Sequence, residues 1–146
     1  MAGTARWRHC AALALLAAAA LPSARGQGTD CLSYEPAEVS LQGRLELAVF
    51  PGPPHYRSFE AGDVPESVWL LRLAAPVCIA ALADDLNNTA QGRVETVQIV
   101  PRAPFSVSLN GTTARVDGTL YRPQGGHAHA GVMLRATAVR PAQRAP

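Results

Sequence analysis

The clearest pattern in the chain is an alternation of apolar and polar residues between positions 39 and 49. Val39, Leu41 and Leu45 fall on one face, and Gly43 lies in register with them. A period of two is typical of a half-buried strand. A glycine inside such a strand indicates a bulge or a sharp bend, as a small barrel requires.

Later segments repeat this pattern, and Gly118 again lies in mid-strand. Strands are predicted at residues 68–73, 94–100, 105–109, 114–121 and 131–139, with a short resumption at 77–79 after Pro76. Residues 80–88 predict a short helix or an acidic turn. We therefore expect an all-β fold, a small OB-like barrel of five to six strands with one short helical turn, and a small β-sandwich is the alternative.

Residues 50–66 form a long connection in which four prolines exclude a helix or a central strand. Long ordered loops often carry function. Tyr56, Arg57 and Phe59 in this loop are the candidate ligand surface, because aromatic rings beside a fixed charge suit sugar rings or a protein partner. The alternative is that these aromatic side chains only complete the core.

The first 26 residues have the three zones of a secretory signal peptide. Arg6 and Arg8 precede an apolar run at residues 11–21, and Ala24-Arg25-Gly26 fits the rule for a cleavage site. The run is about half the ~20 residues that a membrane span needs. The predicted organisation is a signal peptide at 1–26, a single β domain at 27–140 and a frayed tail at 141–146. We expect a soluble exported protein, periplasmic or extracellular, without a membrane span in the mature chain.

Charge and cysteine content both change when the signal peptide is removed. The full chain has 13 Arg against 11 acidic residues, and loss of Arg6, Arg8 and Arg25 makes the mature net charge slightly negative. Nucleic acid is therefore not an expected partner. Cys31 and Cys78 are the cysteines left, and an even pair in an exported protein predicts one disulfide. A metal pair or a catalytic thiol is the alternative, although neither cysteine has a histidine nearby in sequence.

His127 and His129 are the candidate metal ligands, because residues two apart in an extended segment point the same way. A third ligand would have to come from a distant residue such as His55, Asp84 or Asp117. The simpler interpretation is a pair of exposed histidines in a Gly-rich turn. A hydrolase built from Ser33, Ser58 or Ser67 with His55 or His127 is a further alternative, but no local signature of a nucleophile supports it. We therefore expect no catalytic residues and no cofactor.

Several short segments resemble, in their order and spacing, a family of small exported bacterial proteins known as a domain of unknown function. They include Cys-Leu-Ser-Tyr-Glu-Pro at 31–36, Phe-Pro-Gly-Pro-Pro-His-Tyr at 50–56, Gly-Thr-Leu at 118–120 and His-Ala-His at 127–129. The resemblance spans nearly the whole mature chain and implies an exported domain with its two cysteines paired. It implies no reaction and no cofactor.

These observations favour a non-catalytic binding or accessory domain of the bacterial cell envelope. Its partner would be an envelope protein or a glycan. A metal-binding protein that uses His127 and His129 is the alternative, and a hydrolase is the less favoured one.

Overall fold

The computed structural model describes residues 30–142, which form five strands and one short 3-10 helix. The strands are β1 (Glu38–Pro51), β2 (Pro65–Ile79), β3 (Gln91–Pro101), β4 (Thr113–Tyr121) and β5 (Met133–Pro141), and the 3-10 helix is Val107–Leu109. The predicted signal peptide, residues 1–26, lies outside the described residues, as do residues 143–146 of the predicted tail.

The five described strands belong to one mixed sheet that closes into a ring, in the order β1-β2-β3-β5-β4. β3 and β5 pair in parallel, and the other four pairings of this part of the chain are antiparallel. The all-β prediction is confirmed, with five strands in the described residues. No helix within residues 30–142 is long and apolar enough to cross a membrane.

Gly43 and Gly118 lie where neighbouring strands approach each other closely. A Cβ atom on Gly43 would be 2.1 Å from the carbonyl oxygen of Arg72 in β2. A Cβ on Gly118 would be 2.1 Å from the carbonyl oxygen of Arg135 in β5. Any side chain at either position would therefore force the neighbouring strands apart. The register of β4 against β5 shifts at Gly118, whereas β1 pairs with β2 and β4 without a shift at Gly43.

One local prediction was wrong and one was too fragmented. Residues 105–109 do not form a strand; Ser106 caps a 3-10 helix by accepting the backbone N–H of Ser108. Residues 80–88 form turns rather than a helix, which agrees with the alternative prediction of an acidic turn. β2 runs through Pro76 as one strand, and its irregularity is a shift in its register against β3.

The core fills the inside of the ring with apolar side chains, which alternate with outward-facing residues along β4 and the first half of β1, whereas Val68–Leu71 of β2 are all buried. Tyr34, which precedes β1, is buried with it and donates its O–H to the carbonyl of Thr89 at 2.9 Å. Trp69 packs against Phe105, with ring centroids 5.8 Å apart. The fully buried side chains are Tyr34, Leu45, Leu71, Ile79, Val97, Val116, Leu120, Val132 and Leu134.

The segment before β1 is fixed to the end of β2 by covalent and hydrogen bonds. Cys31 and Cys78 form a disulfide, which confirms the predicted pairing. The N–H of Leu32 donates to the carbonyl of Cys78, and the N–H of Ala80 donates to the carbonyl of Leu32, both at 2.8 Å. In the chain-entropy description, a cross-link over this separation contributes roughly 4 kcal/mol to stability. This segment is therefore held in a fixed position against the end of β2.

Gly43→Ala tests the close approach of β1 to the backbone of β2. The added methyl group has to displace backbone of β2, so we expect a loss of about 1–3 kcal/mol in the free energy of unfolding. Gly92→Ala is the matched control, because a Cβ there meets nothing within 4 Å; it should change stability by no more than about 0.5 kcal/mol. Urea denaturation of both variants measures the difference, and equal losses would contradict the steric explanation.

Candidate functional site

Two loops meet at one end of the ring. Residues 52–64 connect β1 to β2, and residues 122–132 connect β4 to β5. The hydroxyl oxygen of Tyr56 is 2.9 Å from Nε2 of His127, and the two rings meet edge to face with centroids 4.9 Å apart. Gly126 lies against the Tyr56 ring so closely that a Cβ would be 2.5 Å from it. We call the contact of Tyr56, Glu66, His127 and His129 the loop junction.

Glu66, near the start of β2, joins both histidines of the loop junction. One carboxylate oxygen is 2.5 Å from Nδ1 of His127, and the other is 3.2 Å from Nε2 of His129. Burial raises the pKa of Glu66, but the hydrogen bonds and positive charge of the two imidazoles outweigh it and leave this pKa below its usual value. The carboxylate is therefore charged at neutral pH and accepts a hydrogen bond on each oxygen.

The hydrogen-bond directions in the loop junction follow from that charge. A carboxylate only accepts, so Nδ1 of His127 carries its proton toward Glu66. With Nδ1 as a donor, Nε2 of a neutral ring accepts the O–H of Tyr56, whereas a protonated ring donates to the Tyr56 oxygen. The order carboxylate, imidazole, hydroxyl is also the order of groups in serine hydrolases. Here the hydroxyl end is a phenol packed against Gly126, and the bonds tie the two loops together.

His129 is held more tightly than His127. Its side chain is 11% exposed, against 67% for His127. Its ring stacks on Phe50 of β1, with centroids 4.2 Å apart and planes within 6°. The interpretation of both histidines as exposed turn residues is therefore wrong for His129.

The loop 52–64 is organised around a buried carboxylate. Asp63 accepts the backbone N–H groups of His55, Arg57 and Ser58 at 2.7 to 3.0 Å, and Nδ1 of His55 lies 3.2 Å away. The hydrogen bond from the Arg57 N–H is the largest cause that lowers the pKa of Asp63, to about 2, with those from His55 and Ser58 adding to it against burial. The loop has a fixed shape because its amide groups converge on one side chain.

The candidate ligand surface divides into two parts in the folded protein. Tyr56 is half-buried at the loop junction, in a left-handed backbone conformation with φ 58°. Arg57 and Phe59 face outward, and Phe59 is 47% exposed. The loop therefore presents an aromatic ring and a cation next to a contact that fixes their positions.

His127 and His129 do come together, and both rings contact the carboxylate of Glu66. Among the described residues, no group of three or more His, Cys, Asp and Glu side chains is arranged to hold a metal. The distant residues considered as third ligands do not join His127 and His129, and His55 pairs with Asp63 instead. Metal binding by His127 and His129 stays a prediction.

The serine and histidine pairs of the hydrolase alternative are not assembled. Within residues 30–142 no hydrogen bond links a serine hydroxyl to a histidine ring. The hydroxyl of Ser58 instead accepts the N–H of Ala61 at 3.1 Å inside its own loop. These serines therefore lend the hydrolase alternative no support.

Glu66 of the loop junction and Gln98, which binds the backbone of its two histidines, are site residues that were not predicted from the sequence. The buried Gln98 side chain donates to the carbonyl of His127 at 2.8 Å and accepts the N–H of His129 at 2.7 Å. Both lie on strands far from the histidines in sequence. Only the closed order of the strands brings them together, and no local pattern indicates it.

A cleft of about 530 Å³ adjoins the loop junction and shares His127 with it. Its walls come from the segment before β1, the turns at 80–88, the ends of β3 and β4, and β5. Its charged side chains are Glu35, Asp85, Arg122 and Arg135.

No protein-family model matches the chain, and neither does any curated protein or solved structure.

Acid titration tests the role of Asp63. Its pKa is lowered on folding, so its contribution to stability is complete above about pH 4 and is lost as the pH falls toward 2. Asp63→Asn places an amide NH₂ among N–H donors, so we expect a lower melting temperature at pH 7 and a smaller decrease between pH 4 and 2. Thermal unfolding followed by circular dichroism measures both. An unchanged acid dependence would contradict the role given to Asp63.

Replacement of each histidine separates their contributions to the loop junction. His129→Ala removes a stacked, mostly buried ring and a hydrogen bond to a charged group, for which we expect a loss of about 1–3 kcal/mol. His127→Ala acts at an exposed position and should cost at most about 1 kcal/mol. Urea denaturation at pH 7 gives both values. A larger loss for His127→Ala would reverse the order of importance assigned here.

Proposed function

We propose that this protein is an exported, non-catalytic binding module of the bacterial cell envelope, which contacts a partner protein through Arg57 and Phe59 beside the loop junction. The observation that carries the proposal is the fixed geometry of the loop. Asp63 gathers its backbone amides, and Tyr56 binds His127 at its edge. A surface that is already ordered loses little conformational entropy on binding.

The chemistry of the exposed residues suits a protein partner. Aromatic and arginine side chains are enriched among the residues that dominate binding energies at protein interfaces. Phe59 is 47% exposed although it is large and apolar, and Arg57, two residues before it in the sequence, is an exposed cation. An apolar ring with a charge at its border is typical of an interface core and its polar rim.

We further propose that the closed sheet is an OB-like barrel. The strand order β1-β2-β3-β5-β4 and the parallel pairing of β3 with β5 support this architecture. In OB folds the loops between the first and second and between the fourth and fifth strands take part in ligand binding. Those are the two loops that meet at the loop junction, which supports a binding function for this end of the ring.

Export is supported by two independent features. The first 26 residues have the zones of a signal peptide. The Cys31–Cys78 disulfide is typical of proteins in an oxidising compartment. The resemblance to the family of small exported bacterial proteins points to the same location.

Capture of the partner tests the proposal. The mature protein is immobilised and exposed to an envelope extract, with peptidoglycan sedimentation in parallel. We expect one protein to be retained in an amount that is saturable. Phe59→Ser and Arg57→Ala should each weaken its binding at least tenfold, which corresponds to about 1.4 kcal/mol.

Val107→Ser is the matched control for loss of an exposed apolar side chain. Val107 is 72% exposed on the 3-10 helix and takes no part in the loop junction. It should leave the retained amount unchanged. Equal binding by Phe59→Ser and wild type would overturn this surface, and retention by peptidoglycan alone would favour a glycan partner instead.

A further inference from the structure

The cleft beside the loop junction is a second surface, separate from Arg57 and Phe59. Its polar side chains come from four parts of the chain, namely Glu35 before β1, Asp85 in the turns after β2, Arg122 and Gln124 in the loop 122–132, and Arg135 in β5, while the ends of β3 and β4 complete the lining. Its volume of about 530 Å³ is within the range of small-molecule sites. The disulfide fixes the segment that carries Glu35, so this wall is held in place.

The fixed charges of the cleft cancel. Two guanidinium groups, Arg122 and Arg135, face two carboxylates, Glu35 and Asp85. A neutral balance of this kind favours neither an anion nor a cation as the ligand, because each would meet a like charge. It does favour a ligand whose groups both donate and accept hydrogen bonds, and hydroxyl groups do so.

The donors of the cleft are only partly used within the described residues. Nη2 of Arg135 is 3.9 Å from the carboxylate of Glu35, which is beyond hydrogen-bonding distance. Arg122 donates one bond, of 3.3 Å, to the hydroxyl of Thr89. Both guanidinium groups therefore keep N–H donors that a ligand in the cleft can use.

One of the two carboxylates of the cleft is held by hydrogen bonds. One oxygen of Asp85 accepts the N–H of Asn87 at 2.9 Å, and the other accepts the side-chain amide of Asn88 at 2.8 Å. Asp85 therefore fixes the conformation of the turn. Within the described part of the chain, the Glu35 carboxylate has only Arg135 near it, at 3.9 Å. This leaves one fixed and one adjustable acceptor opposite the two guanidinium groups.

Tyr121, Val100, Ala128 and Met133 supply the apolar part of the lining. The Tyr121 ring is half-buried, and the guanidinium of Arg135 lies over it, 4.8 Å from the ring centroid. Burial raises the pKa of Tyr121, with Arg135 opposing and the Glu35 carboxylate adding to it, so its phenol is neutral. Arg135 covers one part of the ring, and the remaining apolar lining suits the C–H face of a sugar ring.

We propose that this cleft binds a neutral saccharide, whose hydroxyl groups bridge Arg122 and Arg135 to Glu35 while a ring packs near Tyr121. The proposal rests on the proposed function only in treating the protein as a binding module, because neither Arg57 nor Phe59 lines the cleft. His127 belongs both to the cleft lining and to the loop junction, where it contacts Tyr56 and Glu66.

An array of neutral oligosaccharides, followed by calorimetric titration of those bound, tests the proposal on the mature protein. We expect saturable binding, at least tenfold weaker in Arg122→Ala and in Arg135→Ala. Arg115→Ala, on β4 outside this cleft, is the matched control and should bind as wild type. Phe59→Ser should also leave saccharide binding unchanged, so that failure of the protein-binding surface and failure of the cleft give different results.

Proton NMR supplies a second readout. The ring signals of His127 should shift when the saccharide binds, whereas those of His55, which pairs with Asp63 away from the cleft, should not. Absence of binding to every neutral oligosaccharide of the array would overturn the proposal. Displacement of the saccharide by millimolar citrate, or loss of binding in Phe59→Ser but not in Arg135→Ala, would overturn it as well.

Discussion

Ring closure by close backbone approach is the constraint on which the rest of this structure depends. β1 and β4 each carry a glycine, Gly43 and Gly118, where a carbonyl of the neighbouring strand occupies the space of a side chain. The parallel pairing of β3 with β5 completes the ring. The order of strands then places the β1–β2 loop beside the β4–β5 loop, and the loop junction follows from that placement.

Two carboxylates at that end of the ring have complementary tasks. Asp63 accepts amides of its own loop and gives that loop one shape. Glu66, three residues later, contacts the opposite loop and accepts a hydrogen bond from each of its two imidazoles. One side chain therefore orders a loop from within, and the other fixes its position on the sheet.

The strands could be predicted from the sequence where one face is buried and the other exposed. The alternation around Gly43 and Gly118 identifies β1 and β4 for that reason. The same alternation at 105–109 misled, because Ser106 offers its hydroxyl to the backbone and turns the chain into a 3-10 helix instead. Short alternating segments that follow prolines do not distinguish these outcomes.

The site was predictable only in part. The histidine pair could be found because its members are two residues apart, and the cysteine pair because two cysteines allow one pairing. Glu66 lies 61 residues from His127 and contacts it through the closed sheet, so no local spacing indicates their partnership. Asp63 was overlooked for a similar reason, since an acidic residue in a polar loop is ordinarily solvated and here it is buried.

The Gln98 side chain gives the loop 122–132 a property that loops seldom have. Its amide carries one donor and one acceptor in the arrangement of a peptide group, and it engages the carbonyl of His127 and the N–H of His129 as a neighbouring strand would. The Gln98 side chain therefore makes the two hydrogen bonds that a backbone peptide group would make. It continues the pairing of β3 into the residues that precede β5. A side chain of β3 therefore sets the position of both histidines, so that a change in the register of β3 would move the two together.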